Sequence, residues 1–328
     1  FKDGNTYYAF YTGHNGDLDP KEIIYWATST DLKTWTKDTQ HSFRAPDGYD
    51  RNEFRDPIVF KEGNAYKMLL STRADIGSGV WRAVIAQFTS TDLKNWTKDP
   101  NTPFFYTDPF AFMVECPDVF IQGNYQYLIF SNIEESVRRV QYRYRRVGST
   151  DWITPAQQDL DDRVFYAGKT ATDGTHRYIW GWNPSRINYE DNAAYHWGGS
   201  LAVHELTQNA DGTLRVKMPT AFDSKQAISA SLGNIALDNN NRVFNRLGTG
   251  FNKIVAKIKA NTATEFGVMF GACGNLYETY RVTLNLNKGE LQLNRVIRDG
   301  GTATINSIKL PVNANKEYTV KIVQEGSA

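Results

Sequence analysis

The 328 residues suffice for one large core or two domains, carry a formal net charge of +1 and include two cysteines, Cys116 and Cys273. That balance gives no sign of a nucleic-acid or other polyanion partner, and two distant cysteines make no disulfide framework. No apolar run reaches the ~18 residues of a membrane span, and the 13% aromatic content suits sugar stacking as well as a β-rich core.

The chain opens on Asp3-Gly4-Asn5-Thr6-Tyr7-Tyr8, a glycine hairpin turn leading into the strand Ala9-Phe10-Tyr11. The phrase returns as Glu62-Gly63-Asn64-Ala65-Tyr66, as Gln122-Gly123-Asn124-Tyr125 and as Asp173-Gly174-Thr175-His176, each followed by a strand pattern. Between the first two, Ser29-Thr30-Asp31-Leu32-Lys33-Thr34-Trp35-Thr36-Lys37-Asp38 sits 61 residues ahead of a nearly identical run at 90–99. Its Ser-Thr-Asp segment turns the chain after a third strand, and its Trp is placed to pack between neighbouring sheets. Repeats of about 50–60 residues with three or four strands each predict an all-β fold, a β-propeller, with four units visible up to Pro219. Phe1 aligns with Phe60, so the inner strand of the first unit is expected upstream of Phe1. Beyond Pro219 tryptophan disappears, and short alternating runs at 253–258, 280–286 and 290–293 are divided by Asn287-Lys288-Gly289 and Asp299-Gly300-Gly301. This predicts a C-terminal antiparallel β-sandwich, with the propeller at 1–219 and the sandwich at 220–328.

Arg55-Asp56-Pro57 and Glu115-Cys116-Pro117-Asp118 stand 60 positions apart, each ahead of the same strand pattern. Asp56 and Glu115 are therefore expected at equivalent places in successive repeats, where inner strands converge on a propeller axis. Retaining hydrolysis of a glycosidic bond uses two carboxyl groups about 5–5.5 Å apart, one attacking and one protonating the departing oxygen. Either residue alone reads more readily as a turn residue or a rim charge; the pair beside the same proline favours a site. Arg55 reads as a surface ion pair, or as a bidentate clamp on a carboxylate or sugar hydroxyl. Cys116 is expected to point away from Glu115 by strand alternation and to serve as packing. His14, His41, His176, His196 and His204 show no metal-ligand spacing. No nucleophile elbow or phosphate loop occurs, and neither a cofactor nor a catalytic metal is expected.

Four stretches carry a resemblance to glycoside hydrolase family 32, the β-fructosidases. Phe54-Arg55-Asp56-Pro57 resembles its arginine–aspartate–proline motif, and Met113-Val114-Glu115-Cys116-Pro117-Asp118 its glutamate–cysteine motif. Phe165-Tyr166-Ala167-Gly168-Lys169 with Trp180-Gly181-Trp182, and Trp197-Gly198-Gly199-Ser200-Leu201, resemble later strands of the same family. The resemblance implies a five-bladed propeller followed by a sandwich, and a double displacement with Glu115 as general acid/base and Asp56 as transition-state stabiliser. The family's nucleophile, the Asp of an Asn-Asp-Pro motif, is absent from these residues and is expected roughly four to eight positions before Phe1 by repeat alignment. The resemblance is looser at Thr12, where the family has glutamine, and at Ile24-Tyr25-Trp26-Ala27, where it has tryptophan–glycine–histidine. Its phenylalanine–serine–glycine–serine motif has no match between Trp35 and Arg55.

The expected activity is that of a retaining, exo-acting β-fructosidase on a fructan or sucrose-like oligo- or polysaccharide, working extracellularly or in the periplasm. Arg55, Trp26, Tyr166, Trp182 and Trp197 are the candidate substrate-binding residues, although each aromatic could equally pack between blades. Two alternatives stand beside it: a related propeller glycosidase on arabinosyl or xylosyl linkages, which usually inverts, and a propeller that only binds carbohydrate.

Overall fold

A computed structural model describes residues 1–328 except 108–110, 135–137, 164, 190–192, 225–230, 232, 238–251, 273–276, 298–299 and 325–328, and except the side chains of 189, 197, 198, 223, 224 and 324. The chain divides into two units, Phe1–Ser229 and Ala230–Ala328. Among the described residues there is no α-helix, and no helix is long and apolar enough to cross a membrane.

Among the described residues, the first unit holds four antiparallel sheets, each formed from consecutive strands. Sheet 1 contains β1 (Lys2–Asp3), β2 (Thr6–His14), β3 (Glu22–Ser29) and β4 (Thr36–Lys37). Sheet 2 contains β5 (Tyr49–Glu62), β6 (Ala65–Asp75) and β7 (Trp81–Ser90), with β8 (Thr97–Lys98) and β9 (Phe105–Tyr106) both on β7. Sheet 3 contains β10 (Val114–Gln122), β11 (Tyr125–Asn132) and β12 (Arg139–Arg146). Sheet 4 contains β13 (Tyr166–Thr172), β14 (Arg177–Arg186), β15 (Tyr195–Gln208) and β16 (Leu214–Lys217). The repeats read in the sequence are these sheets; the resemblance implies five blades, and four sheets are described.

The hairpins form where the glycines predicted them. Gly4, Gly63 and Gly123 occupy the left-handed region at φ 54°, 59° and 56°, a conformation that lets two strands reverse within two residues and that a Cβ would strain.

Strand alternation explains why the middle sheets read as continuous apolar runs. Met68 and Leu70 of β6, with Val84, Ala86 and Phe88 of β7, pack towards sheet 1, against Ile24 and Phe10. The intervening Leu69 and Ile85 pack the other way, with Val114, Leu128 and Phe130 of sheet 3. On the far face of sheet 3, Tyr127 and Ile129 meet Phe165, Ile179 and Leu206. Each middle sheet is thus buried on both faces by its neighbours, which stacks the four sheets in chain order.

The repeated turn after the third strand also forms. Asp31 Oδ1 accepts the Lys33 and Thr34 N–H groups at 2.8 and 2.7 Å, and Asp92 Oδ1 accepts those of Lys94 and Asn95 at 2.9 and 2.8 Å. Those backbone bonds hold the Asp31 carboxyl down at about 2 and push Asp92 in the same direction. The tryptophans of the two turns differ. Trp96 is buried and lies edge-on to Phe10 of sheet 1 at 5.9 Å, as expected of an inter-sheet residue. Trp35, its counterpart in sheet 1, meets no preceding sheet among the described residues and is 38% exposed.

In the second unit β17 (Asn252–Ile258) pairs with β22 (Tyr318–Gln324). A second antiparallel sheet runs β18 (Glu265–Phe270), β19 (Glu278–Asn285), β20 (Glu290–Ile297), β21 (Gly301–Lys309). Phe266 and Tyr318 bring the two sheets together, their rings 6.2 Å apart.

Phe88 is fully buried and meets Phe43, Tyr49 and Phe54 edge-on or tilted at 4.8, 5.6 and 5.8 Å. Phe88→Ala is predicted to lower stability by about 3–5 kcal/mol, read as a drop in the urea midpoint; an unchanged midpoint would contradict this account of the core.

Candidate active site

The first strands of sheets 2, 3 and 4 lose their register at the same place: between Arg55 and Ile58, between Glu115 and Asp118, and between Tyr166 and Lys169. The residue entering each bulge has a positive φ, 59° at Asp56, 54° at Cys116 and 56° at Ala167. Pro57 and Pro117 follow in two of the three, tolerated because a bulge frees that position from donating to the ladder. The true counterparts are therefore Arg55, Glu115 and Tyr166 on one side and Asp56, Cys116 and Ala167 on the other. This corrects the expectation that Asp56 and Glu115 are repeat-equivalent: their motifs are offset by one residue, and Glu115 has Arg55 as its counterpart.

The offset brings the side chains together rather than separating them. Arg55 Nε donates to Glu115 Oε1 at 2.9 Å, and Tyr166 OH donates to Glu115 Oε2 at 2.7 Å. Both carboxylate oxygens are engaged from the two flanking sheets, while the Glu115 side chain remains 23% exposed. Asp56 Oδ2 accepts the Cys116 N–H at 2.9 Å, and the Cys116 thiol lies 3.6 Å from the same oxygen. Cys116 is a free thiol, and its bulge, rather than strand alternation, sets its direction: it meets Asp56 while Glu115 meets Arg55 and Tyr166. Cys273 lies outside the described residues.

The bulge N–H groups find side-chain acceptors on the preceding sheet. Asp56 N–H donates to Thr12 Oγ1 at 3.0 Å and Ala167 N–H to Ser131 Oγ at 3.0 Å. Lys169 Nζ reaches the Pro117 carbonyl at 2.6 Å, and Thr170 N–H reaches the buried Asp118 at 2.6 Å, tying sheet 4 to sheet 3.

Burial raises the Asp56 carboxyl above its ordinary range; the Glu115 charge pushes the same way, and the Cys116 N–H, Lys169 and Arg55 oppose it. Burial and the Glu115 carboxylate together raise the Tyr166 phenol, so it stays protonated as a donor. Burial also raises the Cys116 thiol, which argues against a nucleophilic role. Burial works to lower Arg55, but Glu22, Glu53 and Glu115 outweigh it and hold the guanidinium charged.

The sequence candidates sort as follows. Arg55 holds carboxylates: besides Glu115, its Nη1 meets Glu22 Oε2 at 3.0 Å and Glu53 Oε2 at 2.5 Å. Tyr166 is 4% exposed and serves Glu115, leaving little ring surface for a sugar. Trp182, half-buried, sits edge-on to Tyr166 at 6.0 Å. Trp26 is corrected: it is 1% exposed, stacked on His41 at 6.3 Å and packed on Phe10 at 5.7 Å, because its place in β3 turns it into the core. Trp197 lies in β15, and its side chain is outside the described residues. Glu22 and Glu53 were missed, and Thr12 was noted only as a departure from the family's glutamine. Glu53 carried a signal, two positions before Arg55 on one strand face; Glu22, acting from sheet 1, carried none.

The sequence pattern of the glycosyl hydrolases family 32 N-terminal domain matches residues 1–217. The chain belongs to glycosyl hydrolase family 32. A sucrose-6-phosphate hydrolase of Zymomonas mobilis subsp. mobilis is 30% identical over 216 residues, covering 59% of this chain and 41% of that protein. One of Staphylococcus xylosus is 25% identical over 266 residues, covering 76% and 51%. The chain thus spans about half the length of these curated relatives or less. Among solved structures, sucrose-6-phosphate hydrolase from Lactobacillus gasseri aligns with a TM-score of 0.70 at 20% identity, covering 100% of this chain and 68% of that one. Fructan 1-exohydrolase IIa from Cichorium intybus aligns with a TM-score of 0.69 at 13% identity, covering 96% and 71%. At those identities the likeness is one of fold.

Three carboxylates converge on one largely buried guanidinium. Arg55→Ala is expected to lower stability by about 3–5 kcal/mol, because it leaves Glu22 as an uncompensated buried charge. Thermal unfolding of parent and variant measures this; equal melting temperatures would contradict it.

Proposed function

We propose that the protein is a retaining β-fructosidase that releases fructose from a fructan or a sucrose-like substrate by double displacement. One observation carries the reading: Glu115 is held at both oxygens by Arg55 and Tyr166, one residue along the strand from the N–H that fixes Asp56. Protonated Glu115 gives its proton to the glycosidic oxygen as that bond breaks, and the resulting carboxylate later takes a proton from the attacking water. Asp56, with Oδ2 on the Cys116 N–H, offers its other oxygen to fructosyl hydroxyls as positive charge develops on the ring. The nucleophilic carboxylate belongs to the Asn-Asp-Pro motif implied by the resemblance, which these residues lack, so the reaction is assigned to the full-length protein.

In this reading the first unit supplies four blades of a five-bladed propeller, and the second is a β-sandwich. Stacked sheets with both faces buried, and the likeness to solved family structures, support it. The names of the relatives favour sucrose or its phosphate over polymeric fructan.

The test incubates the full-length protein with sucrose, sucrose 6-phosphate, inulin and levan and follows released fructose. Glu115→Gln is expected to lose on the order of 10²–10⁴ in kcat. Asp56→Asn is expected to lower kcat more than it raises KM. Release from the parent and not from Glu115→Gln supports the assignment and names the substrate. Full activity in Glu115→Gln, or no fructose from any of the sugars, would sink it.

A further inference from the structure

We propose that Glu22 and Glu53 are positioning residues for the Glu115 carboxyl, acting on it through Arg55. The inference rests on the reading of Glu115 as general acid/base. Its starting point is a conflict. A guanidinium bonded to a general acid favours the ionised form, yet the acid must arrive carrying a proton. Here that guanidinium is shared. Its Nη1 meets both oxygens of Glu22 at 3.0 and 3.2 Å and Glu53 at 2.5 Å, while Nε alone meets Glu115. Two further carboxylates share the cation with Glu115, and the fork geometry aims Nε at Oε1.

Glu22 is 4% exposed and stands on β3 of sheet 1, so the chain of contacts crosses from sheet 1 through Arg55 on sheet 2 to Glu115 on sheet 3. Its Oε2 also accepts the Phe54 N–H at 2.6 Å, which pins β5 immediately before the bulge. Nothing in the repeat requires a carboxylate there. Glu22 pairs with His14, and in sheet 2 the matching pair is Ala83 with Arg73, Ala83 being fully buried. Sheet 2 therefore builds the same third strand with alanine, so the buried charge at Glu22 answers to something other than sheet formation. The charged and titratable groups around the cluster are His14 on Glu22 at 3.4 Å, then Asp56, Cys116, Tyr166 and Lys169, with Arg138 acting on Tyr166.

The experiment compares the full-length parent with Glu22→Gln and Glu53→Gln, with Glu115→Gln as reference. Removing one of the two negative charges should make the Glu115 proton easier to lose. The basic limb of the kcat–pH profile is expected to move to lower pH in Glu22→Gln, and less so in Glu53→Gln. At the parent's optimum, kcat should fall about tenfold in Glu22→Gln while KM stays within about twofold. Carboxyl ¹³C titration of Glu115 reads the same shift without any substrate. A lowered melting temperature with an unmoved Glu115 titration and pH profile would reduce Glu22 to a structural tie and overturn the inference. Should Glu22→Gln fail to fold, Glu53→Gln decides by the same titration, its side chain being partly exposed. Activity surviving in Glu115→Gln would overturn the acid/base reading and this inference with it. Loss of activity in Glu115→Gln with unmoved titrations in both other variants would overturn this inference alone.

Discussion

The site depends on a backbone feature repeated in three sheets: a left-handed, non-glycine residue that interrupts the first strand at Asp56, Cys116 and Ala167. Each such residue costs about 1–2 kcal/mol, and each is held by what surrounds it. The N–H released by the bulge is bound by a side-chain oxygen of the preceding sheet, from Thr12, Asp56 or Ser131. In the middle case that oxygen belongs to a candidate catalytic carboxylate, so the bond that satisfies the backbone of sheet 3 also orients Asp56. Packing on both faces of the middle sheets supplies the stability against which this strain is carried.

The electrostatics follow from that geometry. The bulges place Arg55, Glu115 and Tyr166 side by side on three consecutive sheets. A cation, a carboxylate and a phenol then follow one another across the sheet boundaries, and the three carboxylates on Arg55 come from three different sheets. Gathering Glu22, Glu53 and Asp56 near Glu115 is unfavourable unless a shared cation offsets the repulsion, and Arg55 does so from a position with little access to water. Burial also raises the Asp56 carboxyl, an environment that suits the transition-state role proposed for it.

Much of this was legible in the chain. The hairpin glycines, the Ser-Thr-Asp turns and the apolar runs marked the sheets, and the two acidic motifs fall at the bulges of the first strands of sheets 2 and 3. The reading slipped by one residue at the motifs, treating Asp56 and Glu115 as counterparts. Alternation assumes an unbroken strand, and a bulge resets which face each later residue presents. Trp26 was misplaced for a related reason: an aromatic in a strand has two faces open to it, and only the packing of Phe10 and His41 shows which one it took. Arg55 was weighed as a clamp on carboxylate or sugar; the structure gives it carboxylates.

Sequence alone determined what depends on neighbours along the chain. Turn chemistry, period-two patterning and the order of family motifs are local properties, and they marked an all-β repeat architecture with Asp56 and Glu115 on the first strands of sheets 2 and 3. Tertiary structure decided everything that joins residues from different sheets. That Glu22 in sheet 1 shares a guanidinium with Glu115 in sheet 3, or that Thr12 binds the backbone of Asp56, leaves no mark in composition or spacing. Such contacts arise from how twisted sheets stack and where their bulges fall, and those are properties of the packed molecule.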